Sequence, residues 1–198
     1  MIAIAAIVLA AGRSTRMGGP NKLLLPLAGK PVVAHAVEAG LASKATPVIV
    51  VTGHQADAVT EVLAGYDVRA VDNPDYATGL ASSLKAGIRA VSDDADGALV
   101  VLGDMPAVTP DLLDRLIETF EARPDATAAV PVRKGQRGNP VLLGRALFPA
   151  VLKLAADEGA RRIIKGEGVV EIPVEDEAIA ADVDTPEAFA EVAQRFKR

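Results

Sequence analysis

The feature that most restricts this chain is a set of four short apolar runs, residues 4–9 (IAAIVL), 48–52 (VIVVT), 98–102 (ALVVL) and 128–132 (AAVPV), none of which alternates with polar residues. A strand with one wet face shows a period of two, whereas a strand covered on both faces reads as continuously apolar. Strands of the second kind belong to mostly parallel sheets clothed in helices. The intervening segments supply those helices. Thr109 can cap a helix with Pro110 in its first turn, after which Leu112, Leu113, Leu116, Ile117 and Phe120 fall along one face. Thr185 and Pro186 repeat that start signal ahead of Phe189, Val192 and Phe196, and Leu80, Leu84, Ile88 and Val91 form a third stripe. Strands alternating with helices predict an α/β fold. At ~150 residues per domain, the chain is expected to form one domain over residues 1–198. The polar, Gly-rich, basic segment 133–139 is expected to be an exposed loop able to cover a ligand.

Composition removes several functions. Lys plus Arg number 21 against 26 for Asp plus Glu, a net charge of −5, and aromatic residues make up 3% with no Trp. Neither a positive field nor stacking platforms for nucleic acid are available. Without Cys there is no disulfide, thiolate zinc site or cysteine nucleophile, which fits a cytoplasmic protein. The first apolar stretch, residues 1–11, is shorter than the ~20 residues that span a bilayer. Its charges, Arg13 and Arg16, follow rather than precede it, the reverse of a secretion signal, so it is expected to be a buried strand and not a membrane segment. The two histidines, His35 and His54, form no Ser/His/Asp grouping. His54 follows Thr52 and Gly53 at a strand end, where it either borders a ligand or sits in a loop without a role.

The chemistry is concentrated where strands end. Directly after the first strand runs Leu9-Ala10-Ala11-Gly12-Arg13-Ser14-Thr15-Arg16-Met17-Gly18-Gly19-Pro20-Asn21-Lys22. Open α/β sheets bind ligands at such ends. Small residues let backbone N–H groups approach a polyphosphate, and Arg13, Arg16 and Lys22 can neutralise it; the plain alternative is a Gly-rich turn with three solvated cations. An ATPase-type P-loop does not fit, because Met17 stands where its second Gly is required and Lys22 precedes Leu23. The dinucleotide fingerprint fails at Ser14.

Gly103-Asp104-Met105-Pro106 puts a carboxylate at the end of a second apolar strand, where it could ligate Mg²⁺ on phosphates or merely cap a turn. Asp182-Val183-Asp184-Thr185-Pro186 reads as two same-face acids at the end of a late β segment. Asp184 either completes a metal site or favours the helix N-terminus that follows. In the segment 73–83, Gly79, Ser82 and Ser83 could bond a sugar or base, or cap a helix. Arg137-Gly138-Asn139-Pro140 and Asp157-Glu158-Gly159-Ala160-Arg161 offer polar groups to a second substrate.

Taken in order, Leu-Ala-Ala-Gly-Arg-Ser-Thr-Arg-Met-Gly with Asn21-Lys22, Asn73-Pro-Asp-Tyr with Gly79-Leu80, Gly103-Asp-Met-Pro, Gly138-Asn-Pro and Asp182-Val-Asp-Thr-Pro resemble the molybdenum cofactor nucleotidyltransferases, most closely the cytidylyltransferases, over essentially the whole chain. The resemblance implies a three-layer α/β/α, Rossmann-like nucleotidyltransferase fold with a mostly parallel sheet. It implies Mg²⁺-dependent transfer of CMP from CTP to a molybdopterin-type cofactor with release of pyrophosphate. The N-terminal half would bind nucleotide and the C-terminal half the acceptor. By matching position, the backbone of Leu9, Ala10, Ala11 and Gly12 would meet the nucleoside, and Arg13, Arg16 and Lys22 the phosphates. Thr52, Gly53, Asn73, Gly79, Ser82 and Ser83 are expected on the same nucleotide. Asp104 would hold Mg²⁺ with Asp184, or Asp182 beside it, near the same ion, which makes Lys22, Arg13, Arg16 and Asp104 the expected catalytic set. Gly138, Asn139, Pro140 and Asp182 would border the acceptor.

In this family Ala at position 11 accompanies CTP and Gly accompanies GTP, while Ala156 departs from the commoner Gly-Asp-x-Gly-Ala-Arg pattern. The product would pass to a molybdenum-dependent oxidoreductase. Competing expectations are GTP-dependent guanylyl transfer, transfer to another phosphorylated acceptor, a sugar-nucleotide pyrophosphorylase and a cofactor escort that catalyses nothing.

Overall fold

The computed structural model describes residues 2–197, so Met1, where the first apolar stretch begins, lies outside the described residues. In chain order the strands are β1 (Ile4–Ala10), β2 (Pro26–Leu27), β3 (Lys30–Pro31), β4 (Val48–Thr52), β5 (Arg69–Asp72), β6 (Gly97–Leu102), β7 (Ala128–Arg133), β8 (Gln136–Arg137), β9 (Val141–Gly144) and β10 (Val169–Pro173). The α-helices are α1 (Val32–Leu41), α2 (Ala56–Val62), α3 (Leu80–Ala90), α4 (Pro110–Glu121), α5 (Phe148–Val151) and α6 (Pro186–Arg195). The main sheet has the order β10-β7-β9-β6-β1-β4-β5, with β8 attached to β7, and β2 and β3 form a separate ribbon. Within the main sheet pairing is parallel except where β9 meets β6 and β7, and where β8 meets β7. This is the expected mixed α/β fold with a mostly parallel sheet.

The four apolar runs are central strands, and the two cores explain why they do not alternate. Along β1, Ile4, Ala6, Val8 and Ala10 enter one core with Val33 and Val37 of α1 and Leu113 and Leu116 of α4. Ala5, Ile7 and Leu9 enter the opposite core with Leu84 and Ile88 of α3 and Val151 of α5. β4 and β6 divide in the same way. Gly87 lets α3 settle directly on β1, because a Cβ there would stand 2.4 Å from Ile7 Cγ2.

Helix starts follow the capping signals: Thr109 Oγ1 accepts from Leu112 N–H at 3.3 Å, and Thr185 Oγ1 from Ala188 N–H at 3.2 Å. A third cluster joins Leu27, Val32, Val183 and Val192, with Phe189 and Phe196 packed against it, so α6 is tied to the β2–β3 ribbon.

Three local expectations change. Leu80 is 41% exposed instead of lying in the helix stripe, because it is the first residue of α3 and overhangs the strand-end edge of the sheet. Segment 133–139 is largely a hairpin: Lys134 (φ 50°) and Gly135 (φ 75°) make a two-residue turn whose left-handed backbone matches the strand twist, pairing Arg133 with Gln136. Residues 182–184 are not the end of a strand; the last strand is β10, and this segment is held by Val183 N–H donating to the Asp104 carbonyl at 2.9 Å. Among the described residues, no helix is long and apolar enough to cross a membrane.

Candidate active site

β1 and β6 are parallel neighbours with Leu9 opposite Leu102, so their C-terminal ends open on the same edge of the sheet. Gly103 N–H donates to Leu9 C=O at 2.9 Å, and a Cβ on Gly103 would stand 2.9 Å from that oxygen, so glycine permits the turn that delivers Asp104. The loop after β1 is braced by Ser14, the residue that disqualified it as a dinucleotide loop. Ser14 Oγ accepts from Lys22 N–H at 3.0 Å and lies 3.3 Å from Asn21 Oδ1, while Met17 N–H donates to Ser14 C=O at 3.0 Å. Asn21 Oδ1 also accepts from Leu23 N–H at 3.1 Å, which starts the turn that points Lys22 inward.

Lys22 is only 8% exposed, and its Nζ donates to both Asp104 Oδ2 and Asp184 Oδ1. Burial pulls its pKa down, but the charge of Asp104 and hydrogen bonds to Asp104 and Asp184 prevail, so it lies above the usual lysine value. Asp184 is pushed up by burial and drawn down further by the Lys22 hydrogen bond, by Asp182 and by the charges of Lys22 and Arg16; it ends below the ordinary carboxylate value. Arg16 pairs with Asp184 at 2.5 Å. Asp182 moves the other way, raised by burial and by its hydrogen bond with Asp184 and that residue's charge. Arg13 is exposed and makes no ion pair among the described residues.

Carboxylate oxygens of Asp104, Asp182 and Asp184 lie within 4.8 Å of one another. Asp104 Oδ1 is buried without a hydrogen-bond partner. A desolvated carboxylate oxygen is costly unless a cation or donor meets it, and an all-oxygen set suits a hard divalent cation such as Mg²⁺ or Mn²⁺. The residues therefore fit a metal of that kind.

A cleft of ≈ 490 Å³ opens over this group. From the loop, Leu9, Ala11, Gly12, Arg13, Arg16 and Lys22 line it; Gly79 and Ser83 come from the start of α3, and the three aspartates close it. A second cleft of ≈ 480 Å³ shares Leu9, Leu80, Leu102 and Asp182 with the first. Of the expected acceptor residues, Asn139 and Asp182 line the second cleft; Gly138 is instead packed against Ile179, whose carbonyl accepts from Asn139 N–H at 2.9 Å.

Other expected nucleotide residues lie outside the first cleft. Ala10 is fully buried in the core, and Thr52, 2% exposed, turns its hydroxyl toward Val71 C=O at 3.5 Å. Gly53 lines a neighbouring depression that shares Tyr76 with the first cleft. Asn73 Nδ2 donates to Ser82 Oγ at 2.9 Å and Ser83 Oγ at 3.0 Å, and Ser82 Oγ donates to Gly79 C=O at 2.8 Å, so this group braces the entry to α3. The sequence reading did not anticipate Tyr76, Ala77, Leu80 and Asp157 in the first cleft. Tyr76 and Leu80 belong to motifs quoted from the sequence, and the segment 157–161 expected on a second substrate divides, with Gly159, Ala160 and Arg161 in the second cleft and Asp157 in the first.

Comparison with known proteins agrees with this geometry. The sequence profile described as the MobA-like NTP transferase domain matches residues 6–176. The chain is 29% identical over 198 residues to the molybdenum cofactor cytidylyltransferase of Escherichia coli (strain K12), covering 99% of this chain and 98% of that protein. It is 32% identical to the purine catabolism protein PucB of Bacillus subtilis (strain 168), covering 92% of each. The crystal structure of Rv0371c from Mycobacterium tuberculosis H37Rv superposes with a TM-score of 0.86 at 28% identity, covering 98% of both chains. That protein's complex with manganese superposes with a TM-score of 0.80, covering 97% of this chain and 98% of the other. With the profile spanning most of its length and the strand-end cleft built as described, this chain belongs to the MobA-like NTP transferase domain family.

Proposed function

We propose that the protein transfers CMP from CTP to a molybdopterin-type cofactor and releases pyrophosphate. The observation that carries the nucleotidyl-transfer reading is Lys22 held between Asp104 and Asp184 in the first cleft, with Asp104 Oδ1 left unpartnered. Asp104, Asp184 and Asp182 would hold Mg²⁺, which supplies charge neutralisation to the triphosphate oxygens. The manganese complex of the mycobacterial relative supports a divalent ion. Arg13 and Arg16, at the mouth of the first cleft, would orient the phosphates, and Lys22 would stabilise charge developing on the transferred group.

An oxygen of the acceptor's phosphate monoester attacks the α-phosphorus, and the bond from that phosphorus to the bridging oxygen of the β-phosphate breaks. A monoester with a second pKa near ~6 is largely dianionic at pH 7 and needs no general base. That agrees with a cleft that no histidine lines. The second cleft would receive the acceptor, with Asn139 and Arg161 as its polar contacts away from the metal. Ala11 supports CTP over GTP, the Escherichia coli relative supports the acceptor, and the nucleotide requirement supports a cytoplasmic location. The product would then pass to a molybdenum-dependent oxidoreductase.

The Bacillus subtilis relative, which carries a different name at comparable identity, favours a second reading in which the same transfer serves another acceptor. Pyrophosphate release by the purified chain with Mg²⁺ tests both, comparing CTP with GTP, with and without molybdopterin, and including Asp104→Ala. Release that needs CTP and molybdopterin and disappears in the variant supports the proposal. Release that ignores molybdopterin removes that acceptor, and nucleotide binding with no release under any condition favours an escort.

A further inference from the structure

We propose that Asp157 is a specificity-determining residue of the nucleotide cleft, accepting hydrogen bonds from neutral donors of the nucleoside. The proposal rests on the nucleotidyltransferase reading. Asp157 lines the same cleft as Lys22 and Asp104 but stands outside the acidic group formed by Asp104, Asp182 and Asp184. Its carboxylate has no hydrogen bond or ion pair among the described residues.

An exposed acid without a partner is ordinarily just solvated, but this one is held on a fixed support. Ala81 N–H, in the first turn of α3, donates to Ala156 C=O at 3.0 Å. Ala156 itself adopts φ 48°, a left-handed conformation that an alanine rarely takes. Gly79 makes room for the crossing: a Cβ there would stand 2.5 Å from the Ala156 carbonyl and 2.6 Å from Asp157 Oδ1. On the far side, Glu158 N–H donates to Ala155 C=O at 3.0 Å, Glu158 Oε2 accepts from Ala155 N–H at 2.9 Å, and Arg162 pairs with Glu158 at 2.6 Å. The segment is thus strapped over the start of α3, with Asp157 in the first cleft and Arg161 in the second.

Charge decides what Asp157 can bind there. A carboxylate repels phosphate, and two of the cations of this cleft, Arg16 and Lys22, are paired with the aspartates of the candidate metal site rather than with Asp157. What remains for Asp157 is the uncharged end of the ligand, where ribose hydroxyls and an exocyclic amino group are neutral donors matched to an acceptor-only carboxylate. Gly79, already expected on the nucleoside, lies beside it.

The test is calorimetric titration of the full chain with CTP and Mg²⁺, and separately with inorganic tripolyphosphate, for the native protein, Asp157→Ala and Asp157→Asn. Loss of a hydrogen bond to a charged acceptor is expected to weaken CTP binding about tenfold in Asp157→Ala, with tripolyphosphate unchanged or tighter. Asp157→Asn keeps an acceptor oxygen and is expected to recover most of the affinity. Repeating the Asp157→Ala comparison with 2′,3′-dideoxy-CTP and with UTP identifies the donor: the variant's effect vanishes with the first if ribose is read, and with the second if the base amino group is read. An effect that survives both analogues, equal CTP affinity in all three proteins, equal losses for CTP and tripolyphosphate, or no recovery in Asp157→Asn would each overturn the proposal. A native chain that binds no nucleoside triphosphate would instead overturn the nucleotidyltransferase reading beneath it.

Discussion

Val183 donates its backbone N–H to the backbone carbonyl of Asp104 at 2.9 Å, which joins the segment before α6 to the turn after β6. The Val183 side chain is fully buried against Leu27, Val32 and Val192. Its neighbours Asp182 and Asp184 are thereby set against Asp104, with oxygens of all three within 4.8 Å. One apolar anchor therefore determines the placement of two acids.

Truncating that anchor should affect both stability and the acidic site. Val183→Ala leaves a cavity in the third cluster and is expected to cost about 2 kcal/mol in a denaturant titration. Mn²⁺ affinity, read by paramagnetic relaxation of water, should fall in the same variant. Full Mn²⁺ affinity in a destabilised Val183→Ala would show that the acids hold their places without Val183.

Lys22 supplies the positive charge between Asp104 and Asp184. Lys22→Met is expected to reduce pyrophosphate release about 10²–10³-fold. Lys22 holds Asp184 below the ordinary carboxylate value, so the native protein has stability from this contact that is complete above the unfolded value and lost as pH falls through the lower folded one. The stability difference between variant and native protein should therefore be full near pH 7 and shrink as pH falls below about 4. Melting curves at several pH values measure it.

Arg161 is the only cation lining the second cleft among the described residues, and the other charged group there is Asp182. An anionic acceptor entering beside a carboxylate needs that charge. Arg161→Ala should raise the KM for a phosphate-bearing acceptor about tenfold while the KM for CTP stays within twofold. Initial rates with each substrate varied in turn separate the two effects.

His35 is buried at the start of α1, with Nε2 2.9 Å from Leu27 C=O and its ring edge-on to Phe196 at 4.8 Å. Burial, joined by the charge of Lys30 and opposed by the Leu27 hydrogen bond and Glu38, lowers its pKa below 6.5. The unfolded chain then binds the proton first as pH drops. Stability from this site is complete above pH 6.5 and is lost as pH falls from there through the lower folded value. His35→Gln, which can keep a donor toward Leu27, should show a smaller fall in Tm between pH 7.5 and 5.5 than the native protein.

Ala156 stands at φ 48° where a glycine would be unstrained. Ala156→Gly should raise stability by about 1 kcal/mol, the cost of holding an alanine in the left-handed region less the added freedom of the unfolded chain. Equilibrium unfolding measures it, and no gain would mean that the strap accommodates alanine without strain.

Much of the architecture was legible because its causes are local or periodic. The strands of the four apolar runs follow from burial on both faces, and the starts of α4 and α6 follow from Thr-Pro capping pairs. The loop after β1, with its cations, and Asp104 at the end of β6 were readable for the same reason, since the end of a parallel strand is where such residues face a ligand. Only the tertiary structure decided the rest. That Asp182 lines both clefts, that Ser82 and Asn73 brace a helix entry, that Leu80 lies exposed between two clefts and that Asp157 lines the cleft of Lys22 and Asp104 all depend on contacts between distant segments. No spacing within one segment encodes how another crosses it. Val183, buried under α6, and Ala156, strapped to α3, place these acids through packing and backbone hydrogen bonds that exist only once the sheet and its helices have assembled.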